Sequence, residues 1–171
     1  MPAAYLATLA ADLLDAAGDG LTLVRTGHAP PERVYVSHGR PAVDGCEQLT
    51  VHADERRAVW HRSMPDRPNV PQTCLLAPVA VLVVQLWRCV PVAAEDGTPP
   101  TAAELDTAAD DLLIDAWCLL TQLYGEHKDG TLFTGVTCRN VTFGDLLALP
   151  PQGGMAGWEL RVEVGLDDAG P

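Results

Sequence analysis

The chain has 171 residues, is 47% hydrophobic, and carries a formal net charge of −12 from 11 basic and 23 acidic side chains. That length and apolar content suit one domain with a proper core and exclude a wholly disordered protein. Lys128 is the only lysine, so the clustered cations that bind a phosphate backbone are missing and general nucleic-acid binding is disfavoured.

The pattern from Pro2 to Ala17 predicts a first helix, with Leu6, Leu9, Ala10, Leu13 and Ala17 on one apolar face and Gly18 and Gly20 ending it. Leu21 to Val24 reads as a short strand. His28, Pro30 and Pro31 belong to a loop, and a second strand runs from Val34 to Ser37. From Cys46 to Trp60 the residues alternate: Leu49, Val51 and Ala53 on one side, Gln48, Thr50 and His52 on the other. That alternation marks a strand with one solvent or interface face.

Prolines at 65, 68, 71 and 78 make 62–78 a long, flexible loop, and loops of such length in compact domains are often functional. Val79 to Val92 is β-branched and apolar, a central strand ended by Pro91. Thr101 to Tyr124 is the longest helical pattern. Thr101 and Glu104 form a capping box, and Gly125 is the expected C-terminal stop. Its stripe of Leu105, Ala109, Leu112, Ala116, Leu119 and Leu123 is widened by Leu113, Trp117, Leu120 and Tyr124, all expected to lie on a large apolar surface.

Beyond the helix, Val136 and Cys138 change phase with Val141 and Phe143, which predicts a β-bulge near Arg139 and Asn140. Residues 150–157 are a tight glycine loop, and Trp158 to Leu166 alternates cleanly as a final strand. The tail, 167–171, is expected to fray. The fold class that follows is α+β: a mostly antiparallel sheet of about four to five strands, packed on one face against two helices in a single domain.

No residue set argues for catalysis, a metal or a cofactor. His52 and His61 flank Asp54 and Glu55, but their spacing fits no zinc signature. Gly153, Gly154 and Gly157 lack the lysine and following helix of a phosphate loop, so a hairpin is the better reading. Cys74 and Cys138 have no activating neighbour in sequence. All five cysteines, at 46, 74, 89, 118 and 138, read as structural free thiols in a reducing compartment. Asp106, Asp110, Asp111 and Asp115 read as a solvated or lumen-facing surface. The N-terminus lacks a secretory pattern, and the apolar run from Ala77 to Val84 is far shorter than the roughly 20 residues a membrane helix needs. A soluble, cytosolic protein without enzyme activity is the expectation. Its candidate contact residues are Asp54, Glu55, Arg56, Arg57, Arg62 and Arg67, where arginines can meet the abundant carboxylates of a neighbour.

The segment LWRCVPVAAEDGTPPTAAELDTAADDLLIDAWCLLTQLY, from Leu86 to Tyr124, resembles tail terminator proteins of long-tailed phages of actinobacterial hosts. The shared order is an apolar strand ending in Arg-Cys-x-Pro, an acidic Gly/Pro connection, and a helix with a Leu-Asp-x-Ala-Ala start. The closing segment FGDLLALPPQGGMAGWELRVEVGL is similar to the family's last strand pair. The resemblance implies a hexameric ring in the virion, assembled in the host cytoplasm at the head-proximal end of the tail tube. There it would stop tube polymerisation and dock the head connector. Implied partners are copies of itself, the major tail tube protein and the connector or stopper protein, with genomic DNA passing through unbound. Another neck protein, either a head-tail adaptor or a head completion protein, and a monomeric non-viral binding module are the alternatives.

Overall fold

The computed structural model describes residues 3–23, 30–43, 45–54, 79–134 and 138–166. The described elements are α1 (Ala3–Leu23), β1 (Arg33–Ser37), β2 (Gln48–Ala53), β3 (Val79–Cys89), α2 (Ala102–Asp129), β4 (Cys138–Gln152) and β5 (Met155–Leu166). The strands form one sheet in the order β1-β2-β3-β5-β4. Among them only β1 and β2 run parallel; the other neighbours are antiparallel. Both helices lie on one face. Leu9, Leu13, Ala17 and Leu21 of α1 and Leu119 and Leu123 of α2 join Leu49, Val51, Leu82, Val84, Leu86, Leu160, Val162 and Val164 in one core. The expected α+β class is therefore the observed one.

Several boundaries differ from the sequence reading, each for a reason of packing. α1 runs through Gly18 and Gly20 to Leu23, so no strand begins at Leu21. Gly20 faces α2, where an added Cβ would sit 2.7 Å from Cβ of Gln122 and 3.1 Å from the Cys118 carbonyl oxygen. A glycine that lets two helices approach this closely is retained inside the helix despite its low propensity. α2 starts with the expected capping box: Glu104 N–H donates to Thr101 Oγ1 at 3.3 Å, and Thr101 N–H donates to Glu104 Oε2 at 2.8 Å. It passes Gly125 and stops at Gly130, whose φ of 73° is the left-handed conformation of a C-terminal cap.

β2 ends at Ala53, short of the expected Trp60, and residues 55–61 lie outside the described set. β3 stops at Cys89, two residues before Pro91. β4 is longer than expected because three register shifts let an edge strand absorb irregular residues, including Pro150 and Pro151. The first shift falls between Cys138 and Asn140, where the phase change predicted it. Gly153 and Gly154, with φ of 55° and 84°, make the two-residue turn into β5. Gly157 lies within β5, and a Cβ there would overlap the Leu86 carbonyl oxygen of β3. Because backbone cannot rotate away, Gly157→Ala is expected to cost about 2–3 kcal/mol, read from the urea midpoint; a midpoint within error of the parent's would show that the strands separate freely.

Candidate interaction surface

α2 carries apolar residues on two sides, and the sheet uses only one. Ala116, Leu119 and Leu123 are buried against α1 and the sheet. Leu113, Trp117 and Tyr124, expected on that same surface, point outward with 59%, 70% and 50% of their areas exposed. Helical geometry explains the correction: these residues recur at i, i+4 and i+11, about a third of a turn round the helix from the buried side. Leu120 lies between the two sides, half-buried. At the C-terminal end, Tyr124 stacks at a tilt on Phe143 of β4, centroids 4.5 Å apart, and His127 meets the same ring edge-on. The result is an apolar ridge on the solvent side of the helical layer.

What holds the ridge in place is a buried ionic anchor beneath it. Arg88, on the helix-facing side of β3, donates from Nε to Asp115 Oδ2 at 2.9 Å and from Nη2 to Oδ1 at 3.4 Å. Its Nη1 pairs with Glu47. Asp115 is completely buried, so it is not part of a solvated acidic surface as its spacing suggested. Asp106 and Asp110 are exposed, and Asp111 is half-buried. Burial alone would lower the Arg88 pKa, but its bonds to Asp115 and Glu47 outweigh this and raise it above the ordinary arginine value, so the guanidinium stays charged. Glu47 also accepts from the Cys89 N–H at 3.1 Å and holds a left-handed φ of 64°. A second tie is Trp158 of β5, whose Nε1–H donates to the Leu112 carbonyl of α2 at 2.8 Å.

No family model and no curated protein matches this chain.

Beside the anchor lies a cleft of about 680 Å³ between α2, the end of β3 and the segment before β2. Glu32, Glu47, Glu104, Asp111 and Asp115 line it, with Arg88 the one cation among the lining residues. Among the described residues no group of three or more His, Cys, Asp or Glu side chains is placed to hold a metal ion.

The cysteines overturn one expectation. Cys46 and Cys89 form a disulfide, with Cα atoms 4.8 Å apart, and so are not free thiols. Cys118 is a buried thiol outside the disulfide, as its place in an apolar helix suggested. Cys74 lies outside the described residues, as does His61.

The sheet face away from the helices differs from the expected solvent or interface face. Gln48, Thr50 and His52 of β2 and Gln85 and Trp87 of β3 are buried there. Gln85 Nε2 donates to Glu159 Oε2 at 2.8 Å. Gln48 Oε1, Thr50 Oγ1, His52 Nδ1, Gln85 Oε1 and Trp87 Nε1 find no hydrogen-bond partner among the described residues. His52 has its pKa lowered from 6.5 by burial; Glu159 and Asp54 oppose this shift, and Arg40 adds to it. A histidine whose folded pKa lies below its unfolded value binds fewer protons when folded, so it withdraws stability as pH falls below that unfolded value. The parent is therefore expected to lose more stability than His52→Gln between about pH 7.5 and about pH 5, measured by urea midpoints; equal losses would remove His52 from the account.

Of the six predicted contact residues, only Asp54 is described. It is half-buried just after β2, its N–H donating to the Val81 carbonyl at 2.9 Å. Glu55, Arg56, Arg57, Arg62 and Arg67 lie outside the described residues, as does the 62–78 loop. The surface that sequence reasoning missed is the α2 ridge. Its signal was present, since Leu113, Trp117 and Tyr124 exceed what one buried face of a helix can hold.

Proposed function

We propose that this chain is a structural assembly protein that works as a ring of copies, of the tail terminator type, at the head-proximal end of a phage tail tube. The observation that carries this reading is the ridge of Leu113, Trp117 and Tyr124, held outward by an internally anchored helix. A 70% exposed tryptophan aligned with two further large apolar side chains marks a protein-contact surface more than a monomer's exterior. The terminator assignment itself rests on the resemblance of Leu86–Tyr124 and the closing hairpin. The net charge of −12 suits a lumen through which DNA slides without sticking. In this role the chain halts tube polymerisation and presents one ring face to the connector.

Removing the protein from an assembling phage tests the role. Overlong tails are expected in electron micrographs of negatively stained particles, with normal length restored when the protein is supplied. Tails of normal length without it would sink the terminator reading.

A further inference from the structure

Two incomplete layers remain on opposite flanks of the helix-covered face. At one flank, Val34 and Val36 of β1 stand in register with Leu49 and Val51 of β2, hence on the helix side of the sheet. Their partners are completely buried, yet Val34 and Val36 stay 46% and 41% exposed, because neither described helix covers them fully. At the other flank, the α2 ridge is an apolar helix side with no described strand packed against most of its length. One flank is a strand only partly covered by a helix, and the other a helix side only partly covered by a strand.

We infer that the α2 ridge of one copy packs on the β1 flank of the next, a head-to-tail contact between two copies of this chain. The inference rests on the reading that the protein works as an assembly of copies, and names which surface meets which. Lengths are comparable: Leu113 to Tyr124 spans about 16 Å along a helix, and Arg33 to Ser37 spans about 13 Å as a strand. Charges fix the direction. Exposed Asp106 and Asp110 precede the ridge and exposed Lys128 follows it, whereas exposed Glu32 precedes β1 and exposed Arg40 follows it. Packing α2 antiparallel to β1 brings Asp110 to Arg40 and Lys128 to Glu32; the parallel alternative sets like charges against each other at both ends. Because the two surfaces differ, each copy keeps one free flank of each kind, and the contact propagates until it closes on itself. A self-paired α2 contact would stop at a dimer and leave the β1 flank of both copies uncovered.

Mixing two broken variants tests this directly. Trp117→Asp removes the ridge and keeps the flank; Val34→Asp with Val36→Asp does the opposite. All three positions are solvent-exposed, and circular dichroism checks that both variants fold. Sedimentation at concentrations where the parent associates should show each variant alone weakened at least about thirtyfold, the loss expected for a central tryptophan anchor. An equal mixture should form a heterodimer and nothing larger, since one intact ridge and one intact flank remain. A mixture that stays monomeric overturns the inference. So does self-association of the β1 variant at parental strength, or a parent that stays monomeric at millimolar concentration. Charge reversal adds a second readout: Asp110→Arg weakens association and Arg40→Asp in the same chain restores it, whereas absence of rescue rejects the antiparallel direction. If the mixture behaves as expected while tails keep normal length without the protein, the terminator role fails and this contact stands. If tails grow overlong without the protein while the mixture stays monomeric, the role stands and this contact fails.

Discussion

Asp115→Ala is expected to destabilise the protein by about 3–5 kcal/mol, the cost of leaving one partner of a buried ion pair uncompensated. Asp115 is completely buried and meets Arg88 through two hydrogen bonds, so its removal strands a guanidinium that stays charged at any ordinary pH. Glu47 remains as partner through Nη1 of Arg88 but is 29% exposed at its side chain. Glu47→Ala should therefore cost much less than Asp115→Ala. Removing both charges, with Arg88→Met and Asp115→Leu, is expected to recover most of the loss, because apolar groups of similar volume carry no desolvation penalty. Urea midpoints for the four proteins check the order. An Asp115→Ala variant within about 1 kcal/mol of the parent would mean that water reaches the pair and that the anchor is weak.

The same pair shows where reading the sequence succeeds and where it stops. Thr101 and Glu104 were legible as a capping box because the bonds involved close within three residues. The final strand and the bulge beside Asn140 were legible because alternation is a local signal, whereas the loop expected over 150–157 narrows to the turn at Gly153 and Gly154 because both strands extend into it. Asp115 was not, since helical spacing places it beside Asp111 and says nothing about Arg88, which is 27 positions away. A clue did exist: Arg88 interrupts a buried strand, and a buried cation requires a carboxylate. α1 extends through Gly20 for the same kind of reason, a contact with α2 that propensity does not contain. Gln48, Thr50 and His52 alternated as a solvent face does, yet they are buried, because period two separates the faces of a strand without saying what covers either. The outer ridge follows this rule in reverse. Periodicity marks Leu113, Trp117 and Tyr124 as apolar, and only the fold reveals that α2 leaves half or more of each exposed.

The Cys46–Cys89 bond was the least legible feature, because pairing among widely spaced cysteines has no local signature. It closes a loop with a sequence separation of 43, for which chain entropy gives about 4 kcal/mol of stabilisation by restricting the unfolded state. Adding a reductant should lower the urea midpoint by that order, and Cys46→Ala with Cys89→Ala should reproduce the loss while making stability insensitive to reductant. A parent equally indifferent to reductant would show that the bond does not form. The loss should also couple to the ionic anchor. Glu47 follows Cys46 directly, and its carboxylate reaches both the Cys89 N–H and Arg88. With the disulfide intact, Glu47 is held at its left-handed φ of 64°, a conformation that costs a side-chain-bearing residue free energy. Once the bond opens, that residue can relax and withdraw from Arg88, leaving Asp115 as its main counter-charge. Glu47→Ala should then cost less in the reduced protein than in the oxidised one, a non-additivity that a double-mutant cycle reads directly. Strictly additive losses would separate the two features and make the disulfide a constraint on the unfolded chain alone.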